Sequence, residues 1–317
     1  MILVCGEALM DVFAEQETTS GLVLDARVGG SPFNVAVGLA RMEQAVAFFG
    51  GLSQGFLGNR LRKALMGEGV GVGFCPIVDA PTTLGLVGLL DDGSASYAFY
   101  GHGCADRLVT ADDVPDLDDR FTALHFGSYT TVVEPVASVQ RLLVARERHR
   151  RLIAYDPNLR LNVEPDIGRW AATMAWMAAH VHIIKVSAED LHAAYPGASP
   201  NEVAESWLAL GCRLVVVTRG GSGAIAFTQT EIVAVESPRV DVVDTVGAGD
   251  TFQAALLTWL SERGMLSVAA VESLDAQQLR FALEFACAAA SITCTRRGAD
   301  LPRRRELGNV AALVTAM

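Results

Sequence analysis

The sequence predicts an α/β protein with a mainly parallel central sheet, helices on both of its faces, and a small second β sheet projecting from it. Three observations carry that expectation. Short apolar runs alternate with segments of helical periodicity along most of the 317 residues, the pattern of parallel strands joined by crossover helices. The chain is 51% hydrophobic, enough to build a core on each side of such a sheet. Two stretches, near 12–28 and near 84–100, alternate in β fashion around polar turns, and neither is expected to run straight into a helix.

The elements follow in order. ILVC opens the chain as a strand; MILVCGEALMDVF has no basic start and is interrupted by Glu7 and Asp11, so it does not read as a signal peptide. After the first β pair, GGSPFNVAVGLARM places Ser31 as an N-cap and Pro32 at the first helical position of a helix near 32–43. AVAFF is the next strand and a helix near 56–66 follows it. LGLVGLLDDGSASYAFY supplies the second β pair, turning at DDGS. TALHF, a helix near 134–148, LIAYD, HVHIIKV and RLVVVT continue the alternation, and AIAFTQTEIVAV reads as a hairpin around TQTE. In TFQAALLTWLSERG, Phe252, Ala255, Leu256, Trp259 and Leu260 fall at helical spacing and Gly264 stops the helix. We read the whole as one domain, 1–317. The strands near 12–28 and 84–100 either form a lid over the carboxyl ends of the main strands or are surface hairpins without a catalytic role.

Composition removes several classes of function. A formal charge of −11 disfavours nucleic acid or an anionic membrane as the main partner, and an anionic substrate would need a local positive pocket. The longest apolar stretch, WAATMAWMAAHVHII, is too short to span a membrane. Six scattered cysteines without a CxxC pair indicate neither a disulfide framework nor a zinc site; they read as reduced thiols of a cytoplasmic protein. No Gly-Lys pair occurs, which excludes a P-loop. Gly221, Gly223 and Ala226 approach the dinucleotide fingerprint, but a hairpin follows them where that fingerprint needs a helix.

The residues that could carry chemistry cluster at predicted strand and helix ends. DTVGAGD puts Gly247, Ala248 and Gly249 at a helix N-terminus, where unpaired amides and the helix dipole suit a phosphate or a developing anion. Asp250 beside them is better suited to accepting a proton than to binding that anion. Asn34, just after two glycines, offers a donor and an acceptor to a sugar hydroxyl or helps to cap its helix. Asp11 either binds hydroxyls or faces solvent. Arg160, in YDPNLR, could supply positive charge to a polyphosphate or sit on a surface turn. Lys185, one of two lysines, begins KVSAED, whose acids could organise magnesium through water or cap a helix starting at Ser187. VTRGGSGA alone reads as a tight strand-to-strand turn.

In order along the chain, GEALMD, GGSPFNVAVGLARM, FYGHGCADRLV, YDPNLR, KVSAED, VTRGGSGA, DTVGAGD and TRRGADLP resemble the ribokinase-like family of carbohydrate kinases, and bacterial fructokinases within it. The resemblance implies a three-layer α/β/α fold with a β-sheet lid. It implies an ATP-dependent kinase for a ketohexose, most often fructose, acting with Mg²⁺ and with K⁺. It implies that Asp250 is the general base and that Gly247, Ala248 and Gly249 form an anion hole. Asp11, Gly30 and Asn34 would contact the sugar, and Arg160 the phosphates. Lys185, Thr218, Gly220, Gly221 and Gly223 would line the nucleotide site, and Asp244, Val246 and Gly298 a monovalent-cation loop. Ser187 and Asp190 stand where the family usually reads Asn-x-x-Glu, so Asp190 is the candidate for magnesium through water. GGSPFN differs from the GGKGAN of ribokinases, and Gly101 stands where some 2-keto-3-deoxygluconate kinases carry arginine. Another sugar or nucleoside kinase of the same fold, those two included, and a non-catalytic sugar sensor are the alternatives. An apolar lid face is a candidate surface for a homodimer.

Overall fold

The computed structural model describes residues 1–89 and 95–308; the DDGS turn expected at 91–94 lies outside them. The chain begins with β1 (Ile2–Cys5), β2 (Leu9–Thr18), β3 (Gly21–Gly29) and α1 (Ser31–Arg41). Next come β4 (Val46–Phe49), β5 (Leu52–Ser53), α2 (Phe56–Gly67), β6 (Ile77–Val78), β7 (Leu84–Leu89) and β8 (Ala95–Tyr100). The central part holds β9 (Ala123–Gly127), α3 (Val136–Glu147), β10 (Leu152–Asp156), α4 (Ile167–Ala178) and β11 (Ile183–Ser187). Two helices, α5 (Ala188–Ala194) and α6 (Pro200–Leu210), precede β12 (Leu214–Thr218), β13 (Ala224–Phe227) and β14 (Ile232–Val235). The described residues end with α7 (Ala248–Glu262), α8 (Val268–Glu272) and α9 (Ala276–Cys294), followed by a short 3-10 turn.

The main sheet has eight strands in the order β14-β13-β12-β11-β10-β9-β1-β4. From β12 to β4 all neighbours are parallel, and β13 and β14 add the antiparallel hairpin around TQTE. Side chains alternate across it: Ile2 and Val4 join one core with α1, α7 and α9, while Leu3 and Cys5 join the other with α3, α4 and α6. Burial on both faces is why these strands read as unbroken apolar runs. The three-layer α/β/α arrangement results. All carboxyl ends of the parallel strands open on one edge, where ligands of such sheets bind.

The second sheet has the order β3-β2-β7-β8, so the two β-patterned stretches pair with each other. Its contact with the body is tied at Asp106, which accepts hydrogen bonds from Thr83 at the start of β7 and, at 2.8 Å, from Tyr129 after β9. The expectation that no helix follows at once fails for β3. Only Gly30 separates it from α1, and its φ of +106° makes the turn in one residue. Ser31 is likewise not an N-cap. Gly30 caps α1 and Ser31 lies inside it, because its hydroxyl is engaged by α7.

Helices α1 and α7 approach closely at Gly38. A methyl group there would stand 2.8 Å from Cβ of Ala254. One turn nearer each N-terminus stand Asn34 and Asp250, so the absent side chain lets these two polar residues meet.

Candidate active site

Asp250 lies in the first turn of α7 and is 6% exposed. Its Oδ1 accepts a 2.6 Å hydrogen bond from Ser31 Oγ, and its Oδ2 accepts one of 2.8 Å from Asn34 Nδ2. Burial raises its pKa; the two hydrogen bonds and Lys185 oppose the rise, and Asp156 adds to it. A carboxylate so held is fixed in place and more basic than one in water, the combination a proton acceptor needs.

Gly247 caps α7 in the left-handed region, with φ of +79°. A side chain there would meet Ala299 at 2.6 Å, so the turn lies against the loop after α9. The amides of Gly247 and Gly249 have no partner among the described residues, and that of Ala248 donates to Thr245 O at 3.2 Å. Asp244 ties this region together: Oδ1 accepts from the Val246 amide at 3.0 Å and Oδ2 from the Gly298 amide at 2.8 Å.

On the lid side, the Asp11 carboxylate occupies space that two glycines leave open. A Cβ on Gly29 would lie 2.1 Å from its Oδ2, and one on Gly85 3.1 Å from its Oδ1. Burial pushes the Asp11 pKa up to about 6, Arg160 holding it down and Asp250 adding to the rise. Arg160 therefore stands close to the lid acid, its Nη1 donating to Asn158 Oδ1 at 2.7 Å and Leu159 O at 2.9 Å. Gly30 presses against the Glu7 backbone, 2.8 Å from a built Cβ. Two further contacts reach from the lid to the loop after α9. Glu15 pairs with Arg297 at 3.2 Å, and Arg27 Nη1 lies 3.2 Å from a Cβ built on Gly298.

On the other side, Thr218 at the end of β12 is in register with Ser187 at the end of β11. Gly220 and Gly221 are exposed beyond it, and Gly223 (φ +88°) passes so near Val235 O that a Cβ would overlap it. Ser187 caps α5, accepting from the Asp190 amide at 3.0 Å, and Asp190 Oδ2 accepts from the Leu159 amide at 3.4 Å. Burial first, then Asp156, raises the Asp190 carboxyl to about 6. Lys185 is buried beneath the edge and pairs with Asp156 at 2.8 Å. Asp11, Gly30, Asn34, Arg160, Lys185, Asp190 and Asp250 are thus gathered along one edge of the sheet, with Asp244 and Gly298 behind the α7 terminus.

Magnesium commonly takes one or two carboxylates, substrate phosphates and several waters. Asp190 fits that donor set, since its Oδ1 has no hydrogen bond among the described residues. Those residues hold no group of three or more His, Cys, Asp or Glu side chains able to bind a metal. The Asp244 loop supplies one carboxylate and backbone oxygens, a hard donor set suited to a monovalent cation.

Sequence reasoning gave no role to Ser31 beyond capping, nor to Asp156 or Glu7. Asp156 was visible as an acid ending an apolar strand. Glu7, which in the sequence only interrupts the first apolar stretch, is 1% exposed and accepts from Thr130 Oγ1 at 3.3 Å. Burial pushes its pKa up to about 8.

Residues 1–305 match the family model described as pfkB family carbohydrate kinase. A fructokinase of Rhizobium leguminosarum bv. trifolii is 39% identical over 306 residues, 96% of this chain and 92% of that protein. The crystal structure of a fructokinase with bound ATP from Xylella fastidiosa superposes with a TM-score of 0.90 at 26% identity, covering 99% of this chain and 98% of that one. An aminoimidazole riboside kinase from Salmonella enterica, complexed with aminoimidazole riboside and an ATP analog, gives a TM-score of 0.81 at 27% identity over 97% and 98% of the chains. With the sheet order, the lid and the buried carboxylate at the α7 terminus already in view, the whole-length match leads to one conclusion: the chain belongs to the pfkB family of carbohydrate kinases.

Proposed function

We propose that this kinase is a fructokinase, transferring the γ-phosphate of ATP to the 6-hydroxyl, a primary hydroxyl of fructose, to give fructose 6-phosphate. The observation that carries the reading is Asp250, buried at the N-terminus of α7 and held by Ser31 and Asn34. The 39% identical fructokinase supports the choice of sugar.

Fructose lies between Asp11 and Gly30 on the lid side and Asn34 on α1. Asp250 takes the proton of the primary hydroxyl as that oxygen bonds to the γ-phosphorus; the bond to the β-phosphate oxygen breaks and ADP leaves. The amides of Gly247, Ala248 and Gly249 face the charge that grows on the phosphoryl oxygens, and Arg160 neutralises it from the side. Thr218, Gly220, Gly221 and Gly223 border the nucleotide, and Lys185 meets the phosphate region from below. Magnesium, held through water by Asp190, would screen the phosphates; potassium at Asp244, Val246 and Gly298 would do so behind the anion hole.

One domain, 1–317, does this work. No helix among the described residues is long and apolar enough to cross a membrane. The six cysteines are all free, which supports a cytoplasmic setting. Leu22, Val23 and Leu24 form an exposed apolar row on β3 that suits a homodimer through the lid.

The test is kcat/KM for fructose, ribose, glucose, 2-keto-3-deoxygluconate and adenosine with ATP and magnesium, run in potassium and in a bulky organic cation at equal ionic strength. Fructose is expected to lead, and faster in potassium. Another sugar turned over as well or better removes the fructokinase reading. Equal rates in both buffers remove the potassium site. Folded protein that phosphorylates none of the five favours the reading of a non-catalytic sugar sensor.

A further inference from the structure

The first turn of α7 rests on buried charge. The Lys185 ammonium sits 2.8 Å from Asp156 Oδ2, with side-chain exposures of 5% and 1%. Asp156 is its one hydrogen-bond partner among the described residues, so two of its three donors remain. A methyl group built on Gly249 would stand 3.0 Å from the same nitrogen. The ammonium therefore lies directly against the turn whose amides face the anion site. Around it, His125 is neutral, its pKa pushed down to about 3 by burial and then by Lys185. Gln253, one turn into α7, is 3.3 Å from His125 Nδ1. Asp156 Oδ1, His125 Nε2 and Gln253 Oε1 are buried without a partner. A buried ion pair contributes little net stability compared with apolar packing, so its place beneath this helix points to another role.

We propose that Lys185 is a positioning residue for phosphoryl transfer: its charge, fixed by Asp156, reinforces the helix terminus in drawing the phosphoryl anion and favours the carboxylate form of Asp250. The proposal rests on Asp250 as the base. The groups facing Asp250 divide clearly. Asp11 from β2 and Asp156 from β10 disfavour its charge, Lys185 from β11 favours it, and Ser31 and Asn34 of α1 donate hydrogen bonds. Arg160 stands beside Asp11, and Asp190 beside Lys185 and Asp156.

Lys185→Met alone would leave Asp156 buried and uncompensated, so the decisive variant is the neutral pair Lys185→Met/Asp156→Asn, with Asp156→Asn beside it. The readouts are the pH profile of kcat/KM for fructose, ATP titration and thermal melting. The double variant is expected to melt near the wild type, to lose kcat on the order of 10²-fold, and to show an acid limb displaced upward from that of Asp156→Asn, the comparison that isolates Lys185 because Asp156 and Lys185 act on Asp250 in opposite senses. Asp156→Asn leaves the cation uncompensated, and its acid limb moves down. If Lys185 only neutralises Asp156, the double variant keeps the wild-type rate, and the inference falls. A slow double variant whose limb coincides with that of Asp156→Asn also overturns it. Should the double variant not fold, an unmoved or raised limb in Asp156→Asn overturns it instead. A wild-type enzyme inactive on every sugar defeats the reading of the site itself, an outcome separate from these.

Discussion

Asp250→Asn separates a catalytic carboxylate from a helix-capping one, and the geometry sets the scale of each outcome. Asparagine is isosteric, so its Oδ1 can accept from Asn34 Nδ2, now 2.8 Å from the carboxylate, while its Nδ2 donates to Ser31 Oγ, now 2.6 Å away. The serine hydroxyl needs only to rotate and become the acceptor. Both hydrogen bonds survive, and the variant should lose less than the ~1 kcal/mol of a removed cap. Stability should even rise with pH relative to the wild type. Burial raises the Asp250 pKa, so the unfolded chain releases this proton first, near pH 4. Wild-type stability then falls from there through the higher folded pKa, a loss the neutral variant escapes. Rate behaves differently. Without a proton acceptor kcat should drop by roughly 10²–10⁴-fold, with ATP binding retained or tightened because a negative charge beside the anion site is gone. Steady-state kinetics, nucleotide titration and melts between pH 5 and 8 read all three. Near-normal kcat, whatever the melting temperature, would refute the reasoning, as would a loss of rate matched by a collapse in melting temperature.

Two further substitutions probe the neighbouring acids. Gly29→Ala should expel the Asp11 carboxylate, whose Oδ2 lies 2.1 Å from the new Cβ, and raise the fructose KM roughly 10–100-fold, the worth of a hydrogen bond to a charged group; an unchanged fructose KM would remove Asp11 from the sugar site. Glu7→Gln tests the buried acid whose pKa burial lifts from 4.5 to about 8. Folded protein keeps that proton while unfolded chain loses it, so wild-type stability falls as pH rises from 4.5 to 8, by up to ~1.4 kcal/mol per pH unit. The variant should melt above the wild type at pH 8 and converge with it near pH 5, and a difference independent of pH would show that Glu7 is not held neutral.

Local pattern revealed the elements whose cause is local. The helix after DTVGAGD, the hairpin around TQTE and the paired β stretches all follow from spacing and turn residues within a few positions. What stayed hidden depends on partners far along the chain. Ser31 looks like an N-cap until α7, 219 positions later, claims its hydroxyl. Asp156 lies in YDPNLR and Lys185 in KVSAED, but their pairing requires β10 and β11 to be neighbours. Glu7 interrupts the first apolar stretch, and nothing near it in the sequence shows that Thr130 and Ser128 enclose it. Gly29 stands just before a helix start, and nothing local shows that its missing side chain makes room for Asp11. These placements arise from tertiary packing, which periodicity does not encode.

The pairing of Glu15 with Arg297 gives the second sheet a direct hold on the loop that carries Gly298. With side-chain exposures of 40% and 69%, the pair is worth only about 0.2–1 kcal/mol and weakens as salt rises. Such an energy, shared between two ligands, is a linkage of at most roughly fivefold. On the proposed placement of sugar and monovalent ion, thermodynamic reciprocity requires that whatever factor the sugar adds to the affinity of the loop for the ion, the ion returns to the sugar. A change in ionic strength would then loosen the communication between the two halves of the site while leaving each half intact.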